Sequence, residues 1–557
     1  MAGDIPERWD VETDIVAIGS GIGGLAAAIT AREYGAEAVV LERSEFVGGV
    51  TAYSYGEVWI GDNHLAQAQG IADSIEKACG YVRWLGAGFA DERRIRNQAI
   101  HARIALKFFE EKAGLRLAVI PGFSDYFWPQ SADAAAAGRF LEPVPFDATT
   151  LGDWQARTRT SPHVPYGMTH VDMFESGGVS NFINWDFSVM AARMEKDLRC
   201  LGPGLAGYFI KGALDHGVPL LTDMNVTRLI VDADRRVIGV AARHGNADRY
   251  VRARRGVVIA TSGYDGNSHF ERTMSLQIDV HSMLGPEVDG AHLRLAGRLG
   301  AQVARIPDIS MLGYSIPGEE MGDKPLWRNA LTEMGLPHAM VVNRRGRRFG
   351  DESFYRTLGF AVDYMDGADQ SHPNFPCWII QDSQSREKYP FGSLMPGQDL
   401  PPELAIKSDT LEDLSERAGI DSAGFVEQVR RFNAACKTGL DEDFHRGERP
   451  WARHMCGDAN NKPNPNLGAI ERPPFYAVRL SRVSGGGNSA AGLVGDLHAR
   501  VIDYDEQPIA GLYVAGNAMA RLDIGGGMQS GLSNARAMVH GYLAGRHAAG
   551  QPSDEYR

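Results

Sequence analysis

Paired cysteines, a basic tract and a long apolar run are all missing from these 557 residues. The five cysteines, Cys79, Cys200, Cys377, Cys436 and Cys456, stand far apart, with none of the spacings that hold zinc, attach a c-type haem or form a redox dithiol. No metal site is expected, and a reducing cytoplasm is the simplest compartment. No stretch approaches the ~18 uninterrupted apolar residues of a membrane span, which leaves only peripheral membrane contact open. The segment Met1 to Glu12 is polar and acidic and contains Pro6, so it has neither the basic start nor the apolar run of a secretory signal. Positive charge is in deficit as well: 57 Lys and Arg face 70 Asp and Glu, a formal net charge of −13. Without a basic stripe to neutralise phosphates, nucleic acid is not an expected partner. With 44% hydrophobic and 23% charged residues, the composition is that of a soluble globular chain and excludes disorder, collagen and coiled coil.

What is plentiful is glycine, 65 of 557 residues, against an average near 7%. A short apolar run, Asp14 to Ile18, leads into Gly19, Gly21, Gly23 and Gly24, then into a small-residue helix pattern, Leu25 to Tyr34, closed by Gly35. A second run, Ala38 to Leu41, ends in Glu42. Residues 14–42 thus read as one βαβ unit. Its G-x-G-x-x-G turn presents bare backbone at a helix N-terminus, where a pyrophosphate is held by N–H groups and the helix dipole. Glu42 stands eighteen residues after Gly24, placed to accept hydrogen bonds from an adenosine ribose.

Further on, Val226 to Val240 holds two β-rich segments around a polar turn, Asp232–Arg236, and Val257 to Ala260 reads as a buried strand. Between residues 277 and 477 the texture changes, with frequent proline, short strands and helical segments such as Asp289–Gly300 and Leu411–Ala435. The tail returns to the first texture: strand Gly511–Ala515, a glycine-dense loop Gly516–Gly531 and a helix Leu532–Ala549. The fold class is α/β, a discontinuous Rossmann-like nucleotide-binding domain (1–276 and 478–557) with an inserted α+β capping domain (277–477). There is no internal repeat, and the short run Ala134–Ala137 is the one low-complexity stretch.

The βαβ unit continues into Glu42-Arg43 and Gly48-Gly49-Val50-Thr51-Ala52-Tyr53-Ser54-Tyr55-Gly56, followed by Trp59. This string resembles the flavin-contacting loop of the fumarate reductase and 3-ketosteroid dehydrogenase flavoprotein superfamily, nearest the ketosteroid type. The likeness extends through Thr261-Ser262-Gly263-Tyr264, Asp289-Gly290, Val342-Asn343 with Gly346-Arg347-Arg348-Phe349, Pro473-Pro474-Phe475-Tyr476 and Gly511 to Asn517. It implies FAD, with Gly19, Gly21, Gly23, Gly24, Glu42, Arg43, Gly48, Gly49, Thr51, Ser54, Gly56, Val226, Gly263, Gly516, Asn517, Leu532 and Ser533 as cofactor residues. Gly48–Gly56 lacks the histidine found in covalently flavinylated members, so the expected FAD is noncovalent. Gly525-Gly526-Gly527 and Gly531 leave backbone free to lie against a flat ring, and the helix starting at Leu532-Ser533 directs its dipole at the ring's N1/C2 edge.

The resemblance further implies hydride transfer between flavin N5 and one carbon of a C–C bond, with a side chain handling a proton at the next carbon. In the ketosteroid enzymes a tyrosine ten residues after the position of Asn517, and a glycine four later, polarise the ketone; here these are Gly527 and Gly531. The tyrosine is lost, and Gly527 reads as room for a bulkier ring or a water. Fumarate reductases place a proton-donating arginine four residues after the position of Glu352, which is Arg356; ketosteroid dehydrogenases have their base tyrosine at that same place, which Tyr355 takes only with one residue deleted. Tyr126, in Ser124-Asp125-Tyr126-Phe127, matches an auxiliary active-site tyrosine. The candidate catalytic set is Arg356, Tyr355, Tyr126 and Gly531. Asn488 and Ala491 stand where dicarboxylate enzymes keep a histidine and Gly-Gly, while Tyr53, Tyr55, Trp59, Phe127, Trp128 and Phe354 favour a hydrophobic cyclic substrate. The expected activity is α,β-dehydrogenation of a cyclic, ketosteroid-like ketone. Rivals are an ene-reductase using Arg356 as acid, and a flavin-binding protein without turnover. With no haem motif or fused redox domain, the electron acceptor is external.

Overall fold

The computed structural model describes residues 5–164, 167–308, 310–485 and 489–551. Its first sheet has eight strands, in the order Arg500–Ile502, Pro508–Val514, Ala247–Ile259, Val11–Ile18, Ala38–Leu41 and Leu220–Leu221, with the meander Asn225–Val231 and Val237–His244 attached to Ala247–Ile259. Four successive pairings, from Pro508–Val514 to Leu220–Leu221, are parallel. Such strands are covered on both faces, and Ile15 to Ile18 are accordingly at most 5% exposed. The strand at residues 11–18 is supplied by the start of the chain and that at 508–514 by its end, so the nucleotide-binding sheet is discontinuous, as the sequence implies.

The helix Ile22–Glu33 crosses from the first strand to the second, and the terminal helix Leu532–Ala548 packs along it. Their backbones nearly touch: a Cβ on Gly541 would lie 2.5 Å from the Gly23 carbonyl oxygen, and one on Gly545 2.3 Å from that of Ala27. The alanine-rich face of the first helix, Ala26 to Ala28 at 0% exposure, lets the two axes approach this closely.

A second sheet of seven strands runs Lys324–Asn329, Met311–Met321, Phe475–Ser484, Cys377–Gln381 and Ala339–Asn343, with Val280–Ser282 and Ala405–Ser408 also paired to Phe475–Ser484. This sheet therefore runs past residue 477. The region read as one helix over Leu411–Ala435 is two, Leu411–Ala418 and Ser422–Thr438. Gly419 ends the first in the left-handed region (φ 69°), and the Asp421 side chain caps the second. Both helices pack over Val342, Trp378 and Ile380 of the second sheet. A separate core, built around Tyr126, Phe354, Tyr355 and Trp451, joins the 75–140 segment to the second sheet.

Candidate active site

One long cleft lies across the C-terminal ends of the parallel strands, where open α/β sheets bind ligands. At one end are Gly19, Gly21 and Gly23, with Glu42 and Arg43 beyond the second strand. The helix Ile22–Glu33 begins there without a side chain at its N-cap, and among its first N–H groups that of Gly23 has no acceptor among the described residues and is left for an anion. Gly24 stands behind this turn and packs it down: a Cβ there would sit 1.9 Å from the Gly19 carbonyl oxygen. The Glu42 carboxylate is oriented by the Ser20 N–H (3.1 Å), the Ser20 hydroxyl (2.6 Å) and the Ser44 N–H (2.9 Å). The loop from Gly49 lies directly on the turn, and Thr51 Oγ1 accepts from the Ile22 N–H at 3.2 Å. At the other end the terminal helix also starts uncapped, from Gly531 at φ 83°. Two uncapped helix N-termini at opposite ends of a glycine-lined cleft suit a dinucleotide with an anionic centre and a second, electron-rich ring edge.

The far wall carries hydroxyl and carboxyl groups drawn from distant segments. Trp59 Nε1 (2.7 Å), Arg139 Nη1 (2.9 Å) and the Ala135 N–H (2.8 Å) all bind Asp125, which fixes the turn bearing Tyr126. The Tyr126 hydroxyl meets those of Tyr355 and Ser530, and Ser530 donates to Glu57. The four groups lie side by side, and Glu57 at the end of the row lines the cleft. Burial above all, then the adjacent Tyr355 and Glu57, holds the Tyr126 phenol well above its ordinary value. Burial also lifts Glu57 to about 7, with Glu142 adding to the rise; Glu142 is itself lifted to about 7 by burial. His170, 3.4 Å from Glu57, is depressed by burial to about 4 and so supplies no counter-charge at neutral pH.

Glu57 gives a pH-dependent stability with a definite sign. Its folded-state value lies above the ordinary 4.5, so the folded protein binds the extra proton, and stability falls as pH rises from about 4.5 to about 7. The shift is worth roughly 3 kcal/mol. Urea unfolding at pH 5 and pH 7.5 should show Glu57→Gln losing less stability across this interval than the parent; an equal loss contradicts the assignment.

The FAD binding domain family model matches residues 14–533. The chain belongs to that family. It is 33% identical over 547 residues to a 4-oxocyclohexanecarboxylate 2-dehydrogenase of Sinomonas cyclohexanicum, covering 97% of this chain and 93% of the relative. To a 3-oxosteroid 1-dehydrogenase of Mycolicibacterium smegmatis it is 31% identical over 565 residues, 96% of each chain. Among solved structures, 3-ketosteroid delta1-dehydrogenase from Sterolibacterium denitrificans in complex with 1,4-androstadiene-3,17-dione superimposes with a TM-score of 0.88 at 29% identity, over 97% of this chain and 99% of that one. An open flavocytochrome c3 fumarate reductase shares the fold, with a TM-score of 0.64 at 20% identity.

In this FAD-binding fold, Gly19, Gly21, Gly23, Glu42, Arg43, Gly49, Thr51, Ser54, Gly56, Val226, Gly516, Asn517, Gly531 and Ser533 line the cleft. Gly24, Gly48, Gly263 and Leu532 stand behind its surface. Neither Tyr126, Tyr355 nor Arg356 lines it directly. Tyr355 is one layer back, its hydroxyl 3.8 Å from the sulfur of Met528, which does line the cleft. An unbranched thioether moves at low cost, so Met528 is a displaceable screen. Arg356 points elsewhere, to the Gly526 carbonyl at 3.4 Å and over the Phe360 ring.

Gly527 makes no room. A Cβ there would lie 2.3 Å from the Leu85 carbonyl oxygen, because the end of the helix Ile75–Leu85 fills the space. Gly486, Gly487 and Asn488 lie outside the described residues. Sequence reasoning missed Glu57, Ser530, Gln529, Arg159 and His163, all of which line the cleft. For Glu57 there was a signal: a lone carboxylate between Gly56 and the apolar Val58-Trp59-Ile60 is rarely buried without a role.

Proposed function

We propose that this chain is an FAD-dependent dehydrogenase of neutral cyclic ketones, introducing a C=C bond next to the carbonyl. One observation carries the reading: the guanidinium groups of the cleft are already engaged. Among the described residues that line it, Arg43 pairs with Asp289 at 2.7 Å. Arg159 is held by the Tyr53 hydroxyl (2.9 Å), Ser44 Oγ (2.8 Å) and Glu287 (3.2 Å). Arg356 lies outside the cleft. A dicarboxylate needs cationic anchors to repay its desolvation, and neither arginine that lines the cleft is free to serve as one. A ketone needs only hydrogen-bond donors and the apolar walls that Met283, Leu284 and Met311 supply. Both relatives' names carry an oxo group on a ring. The engaged arginines favour a substrate without an acid group.

Bound FAD supplies the hydride acceptor at N5. Tyr355 takes the proton from the carbon next to the carbonyl once Met528 has moved aside, handing its own hydroxyl proton on to Tyr126. Tyr126, held protonated by its burial, receives the proton of Tyr355 as it gives its own to Ser530, and does not serve as the base. Ser530 extends the chain to Glu57, whose value near 7 suits it to take up a proton at neutral pH. The Gly531 N–H donates to nothing among the described residues and is the backbone donor for the carbonyl. FAD is held without a covalent bond: Gly48–Gly56 has no histidine, and the His163 ring nitrogen Nε2 lies 2.8 Å from the Met283 carbonyl oxygen. Electrons leave to an acceptor outside the chain.

Anaerobic mixing tests the reading. A 3-oxosteroid or a simple cyclic ketone should bleach the oxidised flavin, 4-oxocyclohexanecarboxylate should do so more weakly, and fumarate should not reoxidise the reduced form. Reoxidation by fumarate with no response to any ketone would establish the reductase instead.

A further inference from the structure

We propose that Gln529 is the side-chain donor that, beside the Gly531 N–H, grips the substrate's carbonyl oxygen; this rests on the ketone reading above. Gln529 is a buried amide with only half of its hydrogen-bonding capacity used. It is 1% exposed and lines the cleft. Its Oε1 accepts from the Tyr81 hydroxyl at 2.6 Å and from the Tyr126 N–H at 3.2 Å. A backbone N–H can only donate, so the amide oxygen is the atom that must face Tyr126, and the group is not free to turn over. That fixes the other end: Nε2 is buried and has no acceptor among the described residues. An unpaired buried donor is costly, and an acceptor on a ligand removes that cost.

Two residues later the Gly531 N–H is also without an acceptor, on the same loop and lining the same cleft. Neighbouring donors are engaged elsewhere. The Ser530 hydroxyl donates to Glu57, and Asn534 Nδ2 donates to the Glu57 carbonyl at 2.9 Å. Gly527 has no side chain, and Leu85 closes the space beside it. A ketone oxygen has two lone pairs, and two unpaired N–H donors on one turn match them. As the α-proton leaves, negative charge gathers on that oxygen and both bonds strengthen, the requirement for donors that lower a barrier. Tyr81 and Tyr126, by binding Oε1, position the amide.

Gln529→Glu separates donor from scaffold, since it keeps an acceptor for Tyr81 and Tyr126 while removing the N–H pair. With the FAD-loaded enzyme and a 3-oxosteroid, anaerobic flavin reduction should slow by about 10²–10³-fold, with FAD content and the oxidised spectrum unchanged. Raman difference spectra of the bound conjugated enone product should show its C=O stretch lowered in the parent and moved back toward the free value in the variant. Gln529→Met, of similar volume and without either polar atom, serves if the glutamate variant does not fold, and should show the same two changes. A parent-like rate and stretch in the variant that folds overturns the role of Gln529. If no cyclic ketone bleaches the parent enzyme, the ketone reading itself fails.

Discussion

Tyr355→Phe should bind FAD with an unaltered oxidised spectrum yet lose ketone-dependent flavin reduction by about 10²–10⁴-fold, the usual contribution of a positioned base. The ring stays in place because its neighbours are aromatic: the centroids of Tyr126 and Trp451 are each 6.2 Å from that of Tyr355. Only the hydroxyl is removed, so the loss belongs to chemistry and not to packing. Stopped-flow reduction under anaerobic conditions reads the step directly. Tyr126→Phe should cost less, because it interrupts the route to Glu57 without removing the group that meets the substrate. Arg356→Gln provides the contrast: with its guanidinium on the Gly526 carbonyl and outside the cleft, it should reduce flavin at a rate near that of the parent. A collapse of activity in Arg356→Gln with a normal Tyr355→Phe would reverse the assignment and favour the ene-reductase.

Arg348→Met should be the most damaging substitution for stability, at about 3–5 kcal/mol, because it removes the guanidinium shared by two buried carboxylates. Arg348 reaches Glu352 with Nε at 2.7 Å and Nη2 at 2.6 Å, and Asp441 with Nη1 at 3.0 Å and Nη2 at 2.8 Å. All three side chains are at most 2% exposed. The guanidinium groups of Arg348 and Arg446 hold Glu352 below the ordinary carboxylate range against its burial, and Asp441 is lowered by the same pair. Arg446 remains beside Glu352 in the variant, at 3.2 Å, so the asymmetric loss falls mainly on Asp441. Glu352 also accepts from the Val341 N–H at 3.2 Å, which ties the segment leading into Tyr355 to the second sheet. Chemical denaturation should therefore fall together with kcat. A variant that loses stability but keeps kcat would show that Tyr355 is positioned by its aromatic neighbours alone.

The readable parts of the sequence were those whose physics is local. Gly19 to Gly24 announce the turn because tight turning and close approach both need missing side chains, and Glu42 follows at the length of a helix and a strand. The break at Gly419 was equally local, a glycine followed two residues later by a capping aspartate, but a continuous apolar pattern hid it. The choice between Tyr355 and Arg356 was not readable. Successive helical residues point about 100° apart, so only one of the pair can face Tyr126, and the helix start at Tyr355 decides which. Gly527 shows the opposite limit. A missing side chain in a sequence looks like space, whereas here the backbone at Leu85 takes it. Tyr355, Tyr126, Ser530 and Glu57 come from four separate segments of the sequence, with no spacing rule to connect them.

The strand Phe475–Ser484 also governs the order in which the protein can be made. Val280–Ser282, Met311–Met321, Cys377–Gln381 and Ala405–Ser408 all pair with it. Until a ribosome delivers residue 484, each of these earlier strands carries an edge with no partner, and unpaired edges invite association between chains. Domains fold as units, N-terminal first, during synthesis, but this sheet receives its middle last. The half of the molecule that holds Tyr355 therefore matures near the end of translation, after some two hundred residues of chain have waited for their central strand.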